Sequence, residues 1–157
     1  MGRVVAVCVR RGHHFSKTPA LSIRLLSGLG VEGDGHMGAL VKHRYDRRRD
    51  PARSNLRQVH LIPSELFDEL RAEGFTIQPG DLGESAVIEL TGLREPCVLM
   101  DRFQQGLKAA TEDRDADGRA VYKAGVMAVV VSDGEVAAGD EIAVEFPEGE
   151  RKPLEPV

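Results

Sequence analysis

Val87-Ile-Glu-Leu-Thr-Gly-Leu-Arg94-Glu-Pro96-Cys97 is the stretch on which the reading turns. Val87 to Leu90 alternates in the period of a strand with one buried face. Thr91-Gly92 is expected to break that strand. Pro96 fixes its own φ, removes a backbone donor and keeps Glu95 extended. Cys97 is therefore presented at a rigid corner, with the Arg94 guanidinium three residues upstream. A neighbouring cation favours thiolate over thiol, and the thiolate attacks, carries sulfur or binds metal. Taken alone, a cysteine is more often a small buried apolar residue. The rest of the chain decides between the two.

The 157 residues suffice for one domain with a substantial core. A net charge of −4 gives no global basic field, so nucleic acid is not an expected partner. Two cysteines, Cys8 and Cys97, make neither a metal-type spacing nor a disulfide framework, and a reactive thiol fits a cytoplasmic setting. The apolar run at Val4 to Val9 is too short to cross a membrane. It reads as a strand buried on both faces, with Cys8 as core filler.

Working along the chain, Ser22 to Leu26 is a second strand. Gly28-Leu-Gly30-Val-Glu-Gly33 matches the dinucleotide fingerprint, but further glycines follow where a helix should start, so a Rossmann site is not expected. In the same loop Asp34 and His36 lie two apart, a spacing that lets a carboxylate orient an imidazole. Lys42 to Arg53 holds six Lys or Arg against two Asp and reads as an exposed loop, or as a basic rim to an anion cleft. Arg57 to Ile62 reads as a strand placing Arg57 and His60 near a site. Glu65 to Glu73, capped by Ser64 and ended by Gly74, is the one clear helix. Pro79 to Glu84 is a turn whose exposed amides suit anions.

Beyond Cys97, Phe103 to Ala110 reads as a short helical turn. Asp113 to Gly118 imitates a calcium loop but has Ala124 where the closing carboxylate belongs. Gly125 to Val131 is a buried strand, and Asp133-Gly134 is a hairpin turn leading to a last strand. Pro147 to Val157 is a charged tail expected to fray. Strands outnumber helices and no βαβ alternation is present. The expected fold is mainly β (α+β), a barrel-like sheet with one or two short helices.

Five segments occur in order: Val31-Glu-Gly-Asp34-Gly-His36, Arg57-Gln-Val-His-Leu-Ile-Pro-Ser-Glu65, Pro79-Gly-Asp-Leu-Gly-Glu84, Arg94-Glu-Pro-Cys97 and Gly125-Val-Met-Ala128. Together they resemble the MOSC domain, named for the C-terminal domain of molybdenum cofactor sulfurases. The resemblance implies a β-barrel-like domain over residues 1–146, followed by the tail 147–157. It implies Cys97 as the residue that carries sulfur, assisted by Arg94. Asp34, His36, Arg57, Gly83 and Glu84 then line a pocket for the molybdenum cofactor (molybdopterin) or another anionic small-molecule acceptor.

On this reading a pyridoxal-phosphate-dependent cysteine desulfurase, or a molybdoenzyme, is the partner, and no pyridoxal phosphate is expected in this chain itself. Two alternatives stand beside sulfur carriage. One is a molybdenum-cofactor-binding oxidoreductase component with Cys97 as metal ligand. The other is a non-catalytic ligand-binding or interaction module. After Glu84 the chain passes through Ser85 almost directly into the strand at Val87, where relatives carry a further hairpin. The strand edges this leaves open are expected to self-associate or to need a partner surface.

Overall fold

A computed structural model describes residues 2–14, 16–72, 86–146, 148–149 and 152–157. Five strands come first: β1 Gly2–Arg3, β2 Val7–Val9, β3 Thr18–Ala20, β4 Ser22–Leu26 and β5 Gly30–Val31. Helix α1 Arg44–Arg49, strand β6 Val59–Leu61 and helix α2 Ser64–Ala72 follow. Next come β7 Val87–Leu93, α3 Val98–Phe103, α4 Leu107–Ala110, β8 Glu112–Arg114 and β9 Ala120–Tyr122. The last three strands are β10 Val126–Ser132, β11 Gly134–Ala137 and β12 Glu141–Ile142. The fold is mainly β with four short helices, where one or two were expected. The described strands form two three-stranded sheets, β6-β10-β7 and β11-β4-β5, and three two-stranded ladders rather than one closed ring.

The core is built from side chains of both larger sheets and of β2: Val7, Ile23, Leu25, Val31, Val59, Ala128, Val130 and Val136. Removing each Val, Leu or Ile from water contributes about 1.5–3 kcal/mol, which is why these short strands hold together. At the centre lies β10, whose β-branched run suits a strand paired on both flanks, with β6 and with β7. A second cluster, Leu66 and Leu107 with Met100 and Ala110 against it, fixes α2 to α3 and α4.

Five expectations are corrected. The run Val4 to Val9 is not one strand buried on both faces: only Val7–Val9 is strand, and Val4 and Val7 are buried while Val5 is exposed and Cys8 half-buried. Thr91-Gly92 does not end β7. The register shifts there by one residue, a bulge that leaves Thr91 without a counterpart on β10. The Thr91 hydroxyl instead donates to the Leu56 carbonyl at 2.6 Å.

The basic run is a helix over part of its length: arginine is a good helix former, Asp46 lies in the first turn and Arg47 to Arg49 in the last. Asp50, held extended before Pro51, ends it. Asp133-Gly134 does not make a hairpin, since β11 pairs with β4 and not with β10. The Asp133 carboxylate accepts from the Ser27 amide at 2.5 Å, so the turn carries the chain from one sheet to the other.

The fifth correction concerns the tail. Leu93 donates its amide to the Glu155 carbonyl at 2.8 Å, and Val157 donates to the Leu93 carbonyl at 3.4 Å. Residues 155–157 thus lie along the outer edge of β7 in a parallel bridge. They fit because Gly92 has no side chain: a Cβ there would overlap the Glu155 carbonyl and come within 2.7 Å of Val157 Cγ1.

The acidic turn expected at Asp113 to Gly118 connects β8 to β9. Its carboxylates are engaged locally. Asp115 accepts from the Asp117 and Arg119 amides at 3.0 and 2.8 Å, and Asp117 pairs with Arg119 at 2.6 Å. Calcium titrated calorimetrically should therefore show no micromolar affinity; such affinity, lost in Asp115→Ala, would contradict this assignment.

Candidate functional site

The glycine-rich loop after β5 carries Asp34, whose side chain is only 5% exposed. Lys17 donates to both its oxygens, at 2.5 Å to Oδ1 and in a closer ion pair with Oδ2. The His36 amide donates to Oδ1 at 2.9 Å, and the Arg10 amide to Oδ2 at 3.2 Å. His36 Nδ1 lies 3.1 Å from Oδ1 and 3.3 Å from Lys17 Nζ. Burial opposes the charge on Asp34, but these hydrogen bonds from His36 and Lys17 hold its carboxyl well below the usual carboxylate range.

Asp34 does orient His36, as its spacing suggests, and it also clasps the loop at Arg10 to Lys17 onto the glycine loop. There Gly35 donates to the Arg10 carbonyl at 2.9 Å and has no room for a Cβ against the Gly12 carbonyl. The His13 ring stands edge-on to His36, with centroids 5.6 Å apart.

Asn55 joins this loop to the arginines. Its side-chain amide donates to the His36 and Gly38 carbonyls, both at 2.8 Å, while its oxygen accepts from the Arg57 amide at 3.1 Å. The Arg57 side chain is 22% exposed and lies 4.0 Å from Asp46. Asp46 also meets Arg53 at 3.5 Å and His43 at 3.1 Å. Burial, then repulsion from Arg94 and from Arg53, lowers the Arg57 pKa against the support of Asp46. Among the described residues Asp46 and the more weakly acting Glu95 oppose the three guanidiniums of Arg53, Arg57 and Arg94, which leaves a net positive charge there.

Beyond the end of β7, Arg94 donates its amide to the Gly125 carbonyl at 2.9 Å. Its guanidinium donates to the Glu95 carbonyl at 2.5 Å and reaches Cys97 Sγ at 3.8 Å. Pro96 is buried, and Cys97 caps α3 in extended backbone. The corner expected from Arg94-Glu-Pro-Cys97 is present.

His60 on β6 connects the two halves. Its Nε2 donates to the Ala124 carbonyl at 2.6 Å. Crowding by the surrounding chain disfavours the imidazolium, and the charges of Arg94, His36 and Lys17 add to that against the Ala124 hydrogen bond. The His60 pKa drops to about 4, although part of the residue still meets solvent. At neutral pH it is thus an uncharged ring among cations.

No known family, no curated protein and no solved structure matches this chain.

The fold links three separate segments here: Asn55 joins the Asp34–His36 loop to Arg57, and Arg57 feels the charge of Arg94, which reaches Cys97, while Gly83 and Glu84 lie outside the described residues. Lys17 and Arg53 were not foreseen. Lys17 lies on a different loop from the carboxylate it meets, and Arg53 is one of several cations in a run. Among the described residues no group of three or more His, Cys, Asp or Glu is placed to hold a metal ion, and no helix is long and apolar enough to cross a membrane. Beside Arg57 a cleft lined by Asp46, Arg53, Asn55 and Val157 holds about 10 Å³, room for one water. This cleft alone has no room for molybdopterin, and Gly83 and Glu84 of the expected pocket lie outside the described residues.

Proposed function

We propose that this chain is a thiol-based sulfur carrier of the kind implied by its resemblance to the MOSC domain, with Cys97 as the carrying residue. The observation that supports it is the Arg94 guanidinium held 3.8 Å from Cys97 Sγ, with Arg57 and Arg53 nearby. The Cys97 thiolate attacks the terminal sulfur of a donor persulfide. A new S–S bond forms at Cys97, the donor's S–S bond breaks, and the donor leaves as thiolate, with no net oxidation. Arg94 stabilises the charge before attack, and the surplus positive field at Arg57 attracts an anionic acceptor. A cysteine desulfurase is the fitting donor, since this chain offers only the receiving thiol.

Incubating the protein with a desulfurase and cysteine, then trapping persulfide for mass spectrometry, tests the reading. The trapped sulfur should be on Cys97, absent from Cys97→Ser and unaffected by Cys8→Ser. Persulfide on Cys8 alone, or on neither, would remove it.

Alkylation gives an independent measure. Cys97 should label faster than Cys8, and Arg94→Ala should slow it roughly tenfold, the equivalent of about 1.4 kcal/mol from one charge-assisted contact. An unchanged rate in Arg94→Ala would leave that guanidinium a structural role only.

A further inference from the structure

Residues 152–156 are exposed, yet the segment holds a defined place. It is attached to β7 through Leu93 by two backbone hydrogen bonds, one of them 3.4 Å long. Leu93 immediately precedes Arg94, and Val157 forms part of the wall of the cleft at Arg53 and Arg57. One short segment therefore covers a sheet edge and narrows the cationic cleft. Those two backbone hydrogen bonds are what ties it to β7 among the described residues, and lightly tied segments open locally while the core stays folded.

We infer that residues 153–157 are a strap that closes the guanidinium cleft, and that a small phosphate-like anion enters when the strap leaves the β7 edge. This deepens the reading of the cleft as the acceptor side of the sulfur carrier and rests on it only for the identity of the acceptor. The chemistry is direct. Among the described residues Arg53 and Arg57 both face Asp46, Glu95 supports Arg57 more weakly, and the Arg94 charge adds to the two guanidiniums. With the strap in place only one water's volume remains. Without it, the Val157 side chain no longer fills the wall, and the Leu93 amide and carbonyl become available beside the guanidiniums.

Gly92 offers a specific way to release the strap. The three atoms nearest to a Cβ built there all belong to Glu155 and Val157, so alanine meets the strap first. Inorganic pyrophosphate is titrated calorimetrically into the full chain, into Gly92→Ala and into a chain stopped after Lys152. Hydrogen exchange at the Leu93 amide reports whether the strap has left. Both strap-free forms should bind pyrophosphate at least tenfold more tightly than the full chain, and adding Arg57→Ala should abolish the gain. Equal affinity in all three, binding by none, or a gain that survives Arg57→Ala would overturn the inference. The outcome does not depend on Cys97. Persulfide on Cys97 without pyrophosphate gating leaves the carrier and removes the strap; gating with an inert Cys97 does the reverse.

Discussion

Replacing Gly125 with alanine should cost about 2–5 kcal/mol, the sum of a left-handed residue at roughly 1–2 and an overpacked site at roughly 1–3. Gly125 has φ +94°, and a Cβ there would overlap the Leu61 carbonyl oxygen, a backbone atom of the neighbouring strand that cannot swing aside. The same Cβ would stand 3.1 Å from His60 Nε2. In a chain of this size each kcal/mol is worth about 2–4 °C, so the melting temperature should fall by on the order of 10 °C.

Gly118→Ala is the control. Its φ is +78° but nothing lies within 4 Å of the added atom, so only the smaller conformational cost of about 1–2 kcal/mol applies. Equal losses in the two variants, by urea denaturation, would show that the approach of Leu61 to Gly125 is not as tight as described. Because Arg94 is anchored on the Gly125 carbonyl, the variant should also slow alkylation of Cys97.

Asp34→Ala is expected to cost about 3 kcal/mol, the low end for removing one partner of a buried ion pair, since Lys17 remains partly exposed. The two backbone amides and His36 lose their acceptor at the same time. In a Lys17→Met background the same substitution should cost less, because no ammonium is left unpaired. The folded-state pKa of Asp34 lies below its unfolded value. Its contribution is therefore complete above the ordinary carboxylate range and is lost as pH falls through that range toward the folded value. Stability of the unaltered chain should decline more steeply than that of Asp34→Ala from about pH 5 to pH 2. Parallel acid slopes, or a loss under about 0.5 kcal/mol, would make Asp34 a bystander.

Local signals in the sequence were reliable where neighbouring residues alone determine the structure. Ile23 and Leu25 alternate with polar neighbours and mark β4 to its exact ends; the β-branched run at Val126 marks β10; Leu66 and Phe67 mark the buried face of α2. What escaped was decided at long range. Nothing local to Gly134 shows that β11 joins β4, more than a hundred residues earlier, and nothing in the tail shows that Gly92 leaves a place for it. The charged run hid α1 because its helix is held by local charge placement without an apolar stripe. At the site, Arg94-Glu-Pro-Cys97 and Asp34-Gly-His36 were legible as short-range geometry. The clasp by Lys17 and the position of His60 between the two groups depend on loops meeting in space.

The pairing of β4 with β11 also sets an order of assembly during synthesis. Leu25 finds its partner Gly134, and Ile23 its partner Val136, only after that later strand has been made. At about 5–20 residues per second the wait is roughly 5–20 s. The two core residues of β4 spend that interval without their partners on β11, alongside Val7, whose core likewise lacks Ala128, Val130 and Val136. A nascent chain of this design keeps Val7, Ile23 and Leu25 from their full core until its last strands are made.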